Sequence, residues 1–228
     1  IASTTATVVT ASLGIVDLKR MTQDQLADVV SAHLLLAMFN AWQPGVFCLS
    51  GWDLVGALTL PRDAVAELIE DGDTRWIHRS AYDLMDFDPD ITTSSSGMPK
   101  GRSLYGTLPA QLEDDSSFAS RLADVLHVRA DNGIATGDQL DVPTVDHPGV
   151  LVMVHTLEGT PDRQMTVLNF GREDVVTTVT SASLFEGARV VDMLTGEAVG
   201  RVDGDRSVRV PLARLSGRSL RLIVSAQP

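Results

Sequence analysis

Cysteine is almost absent: Cys48 is the single thiol in 228 residues. One thiol closes no disulfide within a chain, so covalent stapling is excluded and a reducing, cytoplasmic setting is expected. Cys48 stands inside an apolar run, which predicts a buried, inert thiol rather than a nucleophile. Positive charge is also scarce, with 18 Lys and Arg against 30 Asp and Glu, a net charge of −12 and no basic run of five residues. Such a chain repels phosphate backbones and anionic lipid, so neither nucleic acid nor a membrane surface is an expected partner. Long hydrophobic runs are missing too. The apolar stretch from Leu34 to Phe39 is far too short to span a bilayer. No charged segment with an apolar core and a cleavage site opens the chain. It begins Ile1-Ala2-Ser3-Thr4 without methionine, and its natural start is expected upstream.

What is present is an ordinary globular balance, 44% hydrophobic and 21% charged, long enough for one large or two small domains. Residues 1–15 are small and β-branched, a weak strand or loop signal. Thr22 to Ala41 reads as a helix opened by a Thr22/Gln25 capping box, with Leu26, Val29, Val30, Leu34, Ala37, Met38 and Ala41 on one stripe. Gln43-Pro44-Gly45 stops it. Val46-Phe47-Cys48-Leu49 then reads as a short buried strand, and Ser50-Gly51-Trp52-Asp53 as the polar loop at its C-terminal end. Helix, turn, buried strand and polar loop make the rhythm of an α/β barrel. A short helix is expected from Leu60 to Glu70, ended by Gly72. Residues 73–107 are irregular, and long loops of that kind in compact enzymes are often functional.

Ser116 to Asn132 reads as a second helix, capped by Ser116 and ended by Gly133, with Phe118, Leu122, Val125, Leu126 and Arg129 on one face. Residues 137–149 form a polar connector and the expected domain boundary. From Val150 the period changes to two. Strands are expected at 150–157, 164–170, 175–181, 188–192, 207–211 and 219–224, with Thr195-Gly196-Glu197 and Asp203-Gly204-Asp205 as turns. The expected architecture is therefore α/β followed by an all-β antiparallel module, a sandwich or a meander.

Several site patterns fail on inspection. Asp86-x-Asp88-x-Asp90 begins like a calcium loop, but Ile91 stands where the turn needs glycine, and a solvated acidic loop is the better reading. Gly97 to Ser103 lacks the order of a phosphate-cradling loop. No G-x-S-x-G elbow occurs. His33, His78, His127, His147 and His155 lack metal-ligand spacing, and His33 and His127 are expected to pack on their helices. What stands out is Trp52, Asp53, Arg75, Trp76, Arg79 and Tyr82, with Lys100, Arg102 and Tyr105 beyond. Aromatic rings cover the apolar faces of sugars, while Asp and Arg hydrogen-bond their hydroxyls. The competing reading has Trp76 and Tyr82 plugging loops onto the core, with the arginines as plain surface.

The order of capped helix, Gln43–Gly56 segment, irregular loop, Ser103-Leu104-Tyr105-Gly106-Thr107-Leu108-Pro109, Ser117-Phe118 helix and β-module with Val167-Leu168-Asn169-Phe170 resembles the C-terminal part of the α-amylase superfamily, glycoside hydrolase family 13. Within it, Gln43–Gly56 and Met98–Pro109 are most similar to trehalose synthases, which isomerise maltose to trehalose. The resemblance implies that residues 1–136 are the C-terminal end of a (β/α)8 barrel, with Ala37 to Gly56 as its seventh helix and eighth strand, and that 150–228 are its C-terminal β-sandwich. It implies maltose, trehalose or a related α-glucoside as ligand, with Trp52, Asp53, Arg75, Trp76, Arg79, Lys100 and Arg102 as candidate binding residues. Gly51-Trp52-Asp53 stands where many members carry Gly-Asp-Glu, which leaves the role of Asp53 open. The family's catalytic carboxylates are expected upstream of Ile1, in the N-terminal part of the same enzyme, so no catalytic residue is assigned here and the chain alone is expected to be inactive. No cofactor is expected; the resemblance allows calcium, without ligands identified in this chain. The alternatives are another glucan-active member of the family, or a non-catalytic carbohydrate-binding or scaffold module. The second is weakened by residues 150–228, whose only aromatics are Phe170 and Phe185, both expected to pack.

Overall fold

The computed structural model describes residues 3–224. It falls into two compact units. One holds the described residues up to His33 together with Cys48–Arg121, and the other holds Leu34–Phe47 and the described residues from Leu122 on.

The first unit opens on helix α1, Thr5–Ser12, where a weak strand or loop was expected. The reason is local. The Thr4 hydroxyl accepts from the Thr7 amide at 3.3 Å, and the Thr10 hydroxyl donates to the Thr7 carbonyl at 2.9 Å. A helix satisfies its own backbone, whereas a strand needs a neighbour, and β-branched preference is too weak to decide against that. Helix α2, Gln23–Ala41, begins at the expected capping box. The Gln25 amide donates to the Thr22 hydroxyl at 3.2 Å, and the Thr22 amide donates to the Gln25 side chain at 2.9 Å.

Val46–Leu49 is not a strand. It has no regular secondary structure, Val46 is 97% exposed, and Cys48 is exposed rather than buried. A four-residue stave cannot satisfy its amides and carbonyls alone, and no strand flanks it among the described residues. The (β/α)8 barrel is accordingly not present in the described residues, where every strand pair is antiparallel. The expected polar loop is instead a one-turn helix, α3, Gly51–Leu54, closed by a reciprocal box between Ser50 and Asp53. Residues 60–70 form two 3-10 turns, Arg62–Val65 and Glu67–Ile69, rather than an α-helix. The irregular segment holds a further 3-10 turn at Thr74–His78, and its acidic stretch turns about the Asp83 carboxylate, which accepts from the Phe87 and Asp88 amides. Helix α4, Leu108–Leu112, follows.

Helix α5, Phe118–Asp131, is capped by Ser117, not Ser116: the Ser120 amide donates to the Ser117 hydroxyl at 3.2 Å, while Ser116 is bonded to Asp114. Leu122, Val125 and Val128 are buried; His127, expected to pack, is exposed.

The second unit carries the sandwich. Residues read as a connector supply two edge strands, β1 (Gln139–Asp141) and β2 (Thr144–Val145). The six expected strands follow within a residue or three of their expected ends: β3 (Val150–Thr156), β4 (Arg163–Asn169), β5 (Val175–Thr180), β6 (Arg189–Asp192), β8 (Ser207–Leu212) and β9 (Ser216–Ile223). Strand β7 (Ala198–Arg201) escaped the sequence reading because it buries almost nothing, so no period marks it. One sheet runs β1-β3-β4-β9-β6-β7 and the other β2-β5-β8. Val152, Val154, Met165, Val167, Leu220 and Leu222 from the first meet Val179, Val208, Val210 and Leu212 from the second in one core. The other face of β4 is buried too: Leu168 lies near Leu35 and Met38 of α2, and a Cβ at Gly217 would sit 2.5 Å from Leu168 and 2.9 Å from Met38. Phe185 packs against the core beneath Arg163, whereas Phe170 is 38% exposed, against expectation. Among the described residues, no helix is long and apolar enough to cross a membrane.

Candidate functional site

The first unit contains an open cavity of about 620 Å³. Trp52, Trp76 and Tyr82 supply aromatic wall, and Arg79, Ser94 and Ser96 supply polar groups. Each ring is fixed. The Trp52 indole donates to the Ser80 carbonyl at 2.9 Å, and its ring lies 5.7 Å from that of Tyr82. Trp76 packs its other side against the small core of Leu60, Val65 and Met98, so it serves as plug and wall together. Arg79 stacks on it, with the guanidinium carbon 5.1 Å from the ring centroid.

Behind this wall, α3 joins Trp52 to a buried polar chain. The Asp53 carboxylate accepts from the Ser50 hydroxyl at 2.8 Å and faces His33 Nε2 at 3.5 Å. His33 is 1% exposed, and its Nδ1 lies 2.8 Å from the Tyr105 hydroxyl. The negative carboxylate favours hydrogen on Nε2, which leaves Nδ1 to accept from Tyr105. Burial works to raise the Asp53 carboxyl, but hydrogen bonds from His33, Thr5 and Ser50 outweigh it and hold it at about 2, against 3.8 for an ordinary Asp. Burial, with the Asp53 charge, drives the Tyr105 phenol upward, so it remains a donor.

A depressed carboxyl stabilises the fold above its unfolded value, and that stabilisation disappears as pH falls through the folded one. Stability should therefore fall as pH drops from 3.8 towards 2. Asp53→Asn should remove about 1–2 kcal/mol of that pH dependence, after allowance for partial solvent screening. Urea unfolding at stepped pH reads this directly; identical slopes in both proteins would contradict it.

Of the seven candidate binding residues, Trp52, Trp76 and Arg79 share the cavity wall. Asp53 sits behind it with His33. The other three lie off the wall. Arg75 forks Asp73 at 2.7 and 2.8 Å, Lys100 donates to the Pro89 carbonyl at 2.9 Å, and the Arg102 carbonyl accepts from Leu58. The His33–Tyr105 pair was not legible as a unit, because its members are 72 residues apart and nothing local links them.

No family model and no curated protein matches the sequence. Solved structures do match. An Anoxybacillus α-amylase aligns at TM-score 0.53 and 15% identity, over 88% of this chain and 34% of its own. An isomaltulose synthase from Erwinia rhapontici NX5, solved with D-glucose, aligns at 0.60 and 13%, over 94% of this chain and 41% of its own. A Bacillus licheniformis trehalose-6-phosphate hydrolase aligns at 0.59 and 14%, over 86% and 39%. The chain thus spans well under half the length of these structures. At such identity the likeness is one of fold alone.

Proposed function

We propose that this chain is a C-terminal portion of an α-glucoside-active enzyme of glycoside hydrolase family 13, of trehalose synthase type, isomerising maltose to trehalose. The observation that carries the saccharide reading is the cavity itself: Trp52, Trp76 and Tyr82 offer ring faces beside hydroxyl and guanidinium donors. The fold shared with enzymes of that class supports it. In this reading residues 1–136 complete the catalytic part, 137–149 lead out of it, and 150–228 are the accessory sandwich. Retaining chemistry needs a nucleophilic carboxylate and an acid/base carboxyl facing each other across the glycosidic bond. Those groups belong to the portion upstream of Ile1. A glucosyl-enzyme intermediate forms there, and the released glucose turns within a closed pocket and is rejoined through its anomeric oxygen. Exclusion of water decides isomerisation over hydrolysis.

The full enzyme, given maltose and followed by NMR of the anomeric protons, should accumulate trehalose. Release of glucose alone, or growth of longer glucans, would refute the isomerase assignment. Residues 1–228 by themselves should show no turnover. In the full enzyme Trp52→Ala should lower transfer roughly 10- to 100-fold, because a displaced sugar ring misaligns the reacting atoms. Unchanged kcat/KM would place Trp52 in the packing only.

A further inference from the structure

Tyr82 and Ile91 both stand on the cavity wall, and the loop between them carries Phe87, a ring that is 87% exposed. A lone exposed apolar side chain is ordinary. Phe87 is set apart by how firmly it is held and by where. Its amide donates to Asp83 Oδ1 at 3.0 Å, and the Asp88 amide donates to Asp83 Oδ2 at 2.7 Å. Asp86 turns the tip by entering the left-handed region at φ +60°. Lys100 Nζ donates to the Pro89 carbonyl at 2.9 Å, and the Lys100 amide to the Thr92 carbonyl at 2.7 Å. The loop is thus fastened at its stem and to the segment that follows Met98, another wall residue. Because Asp83 adjoins Tyr82, the bond from the Phe87 amide keeps the Phe87 backbone within about 10 Å of the Tyr82 Cα. Phe87 itself is not on the wall; it stands beside it.

The surroundings of the ring select its occupant. Asp86, Asp88 and Asp90 flank it and are exposed. Their carboxylates repel anionic lipid and phosphoryl groups, and they accept hydrogen bonds from hydroxyls. A ring face among carboxylates suits a neutral sugar, which is apolar on one face and hydroxylated at its edge. The wall already gives Trp52 and Trp76 to one sugar ring, so a held aromatic beyond it serves the next unit of the same ligand.

Resting on the saccharide reading above, we infer that Phe87 is a specificity-determining residue, its ring taking the second glucose unit of an α-glucoside whose first unit lies against Trp52 and Trp76. Lys100 and Asp83 are then positioning residues, which hold the loop rather than the sugar. Two of the three tryptophans of the chain line the cavity, so intrinsic fluorescence reports binding to the 228-residue chain itself. Glucose and maltose are titrated against the parent, Phe87→Ala, Phe87→Leu and Phe87→Tyr.

The parent should prefer maltose over glucose by at least about tenfold. Phe87→Ala should cut that preference about fivefold or more, the scale of one aromatic contact. Phe87→Leu keeps apolar bulk without the ring and should lose most of it, whereas Phe87→Tyr should keep it. Because the ring is exposed, the variants should melt with the parent. No preference for maltose in the parent overturns the inference while the saccharide reading stands. An unchanged preference in Phe87→Ala does the same, and leaves the ring to a contact with another part of the protein. Full retention in Phe87→Leu also overturns it, as does a Phe87→Ala melting point lowered by several degrees, which would mean that the ring packs on its own loop. If the parent binds neither sugar, the saccharide reading falls and the inference with it.

Discussion

Trp42→Ala should destabilise the second unit by about 3–5 kcal/mol, the cost of emptying a fully buried indole site that cannot collapse. Trp42 has no exposed surface, and its indole nitrogen donates to the Val125 carbonyl at 3.2 Å. Truncation therefore removes packing and leaves a buried carbonyl short of a partner. The same carbonyl-rich corner depends on Arg129, whose guanidinium donates to the carbonyls of Ala41, Gln43 and Gly45 and so closes the end of α2. Trp42→Phe keeps most of the volume and should cost about 1–3 kcal/mol, chiefly the lost hydrogen bond. Guanidinium unfolding followed by far-UV circular dichroism separates the two variants. A loss below about 1 kcal/mol for Trp42→Ala would mean that the corner repacks around the void.

Gly56→Ala should be nearly as damaging, at about 2–4 kcal/mol, for two reasons that act together. Gly56 has φ +61°, a left-handed conformation that an L side chain resists, and a Cβ there would lie 2.7 Å from two ring carbons of Tyr105. Tyr105 has little room to yield, since its ring stacks on Phe118 with centroids 5.1 Å apart. Displacing it breaks the bond to His33 and loosens the hold on Asp53, so the variant should also lose part of the acid-side pH dependence described above. The double variant Gly56→Ala/Tyr105→Leu should be less destabilised than the sum of its parts, because both changes act on one contact. Strict additivity would show that strain at the backbone, not the ring, is responsible.

The parts of this molecule that were legible in advance share one property: their signal is local or strictly periodic. The Thr22/Gln25 box announces α2 because both partners lie within one turn. The alternation Val208, Val210, Leu212 announces β8 because one face of that strand meets the core and the other meets solvent. Trp76 and Arg79 were legible as neighbours because they stand three residues apart in one irregular segment, whereas Trp52, 24 residues earlier, joins them on the cavity wall only through the fold. Reading failed where a residue's state depends on a distant neighbour. Val46–Leu49 looks like a stave by composition, but a stave exists only where other strands receive its hydrogen bonds. Cys48 was placed inside by the same error, and α1 was missed because a weak β preference yielded to one capping hydroxyl.

From its sequence alone, then, this protein owes its acidity, its unstapled chain, the position of its main helices and the two-residue period of its sandwich, since each depends on composition or on neighbours a few residues away. Only tertiary structure decided that His33 and Tyr105 meet beneath Asp53, that a cavity opens beside Trp52, and that Val46 and Cys48 lie exposed while Phe47 and Leu49 are half-buried. Each of these joins segments far apart in the chain or needs a partner strand, and the free energy of such contacts is defined only once those segments are together.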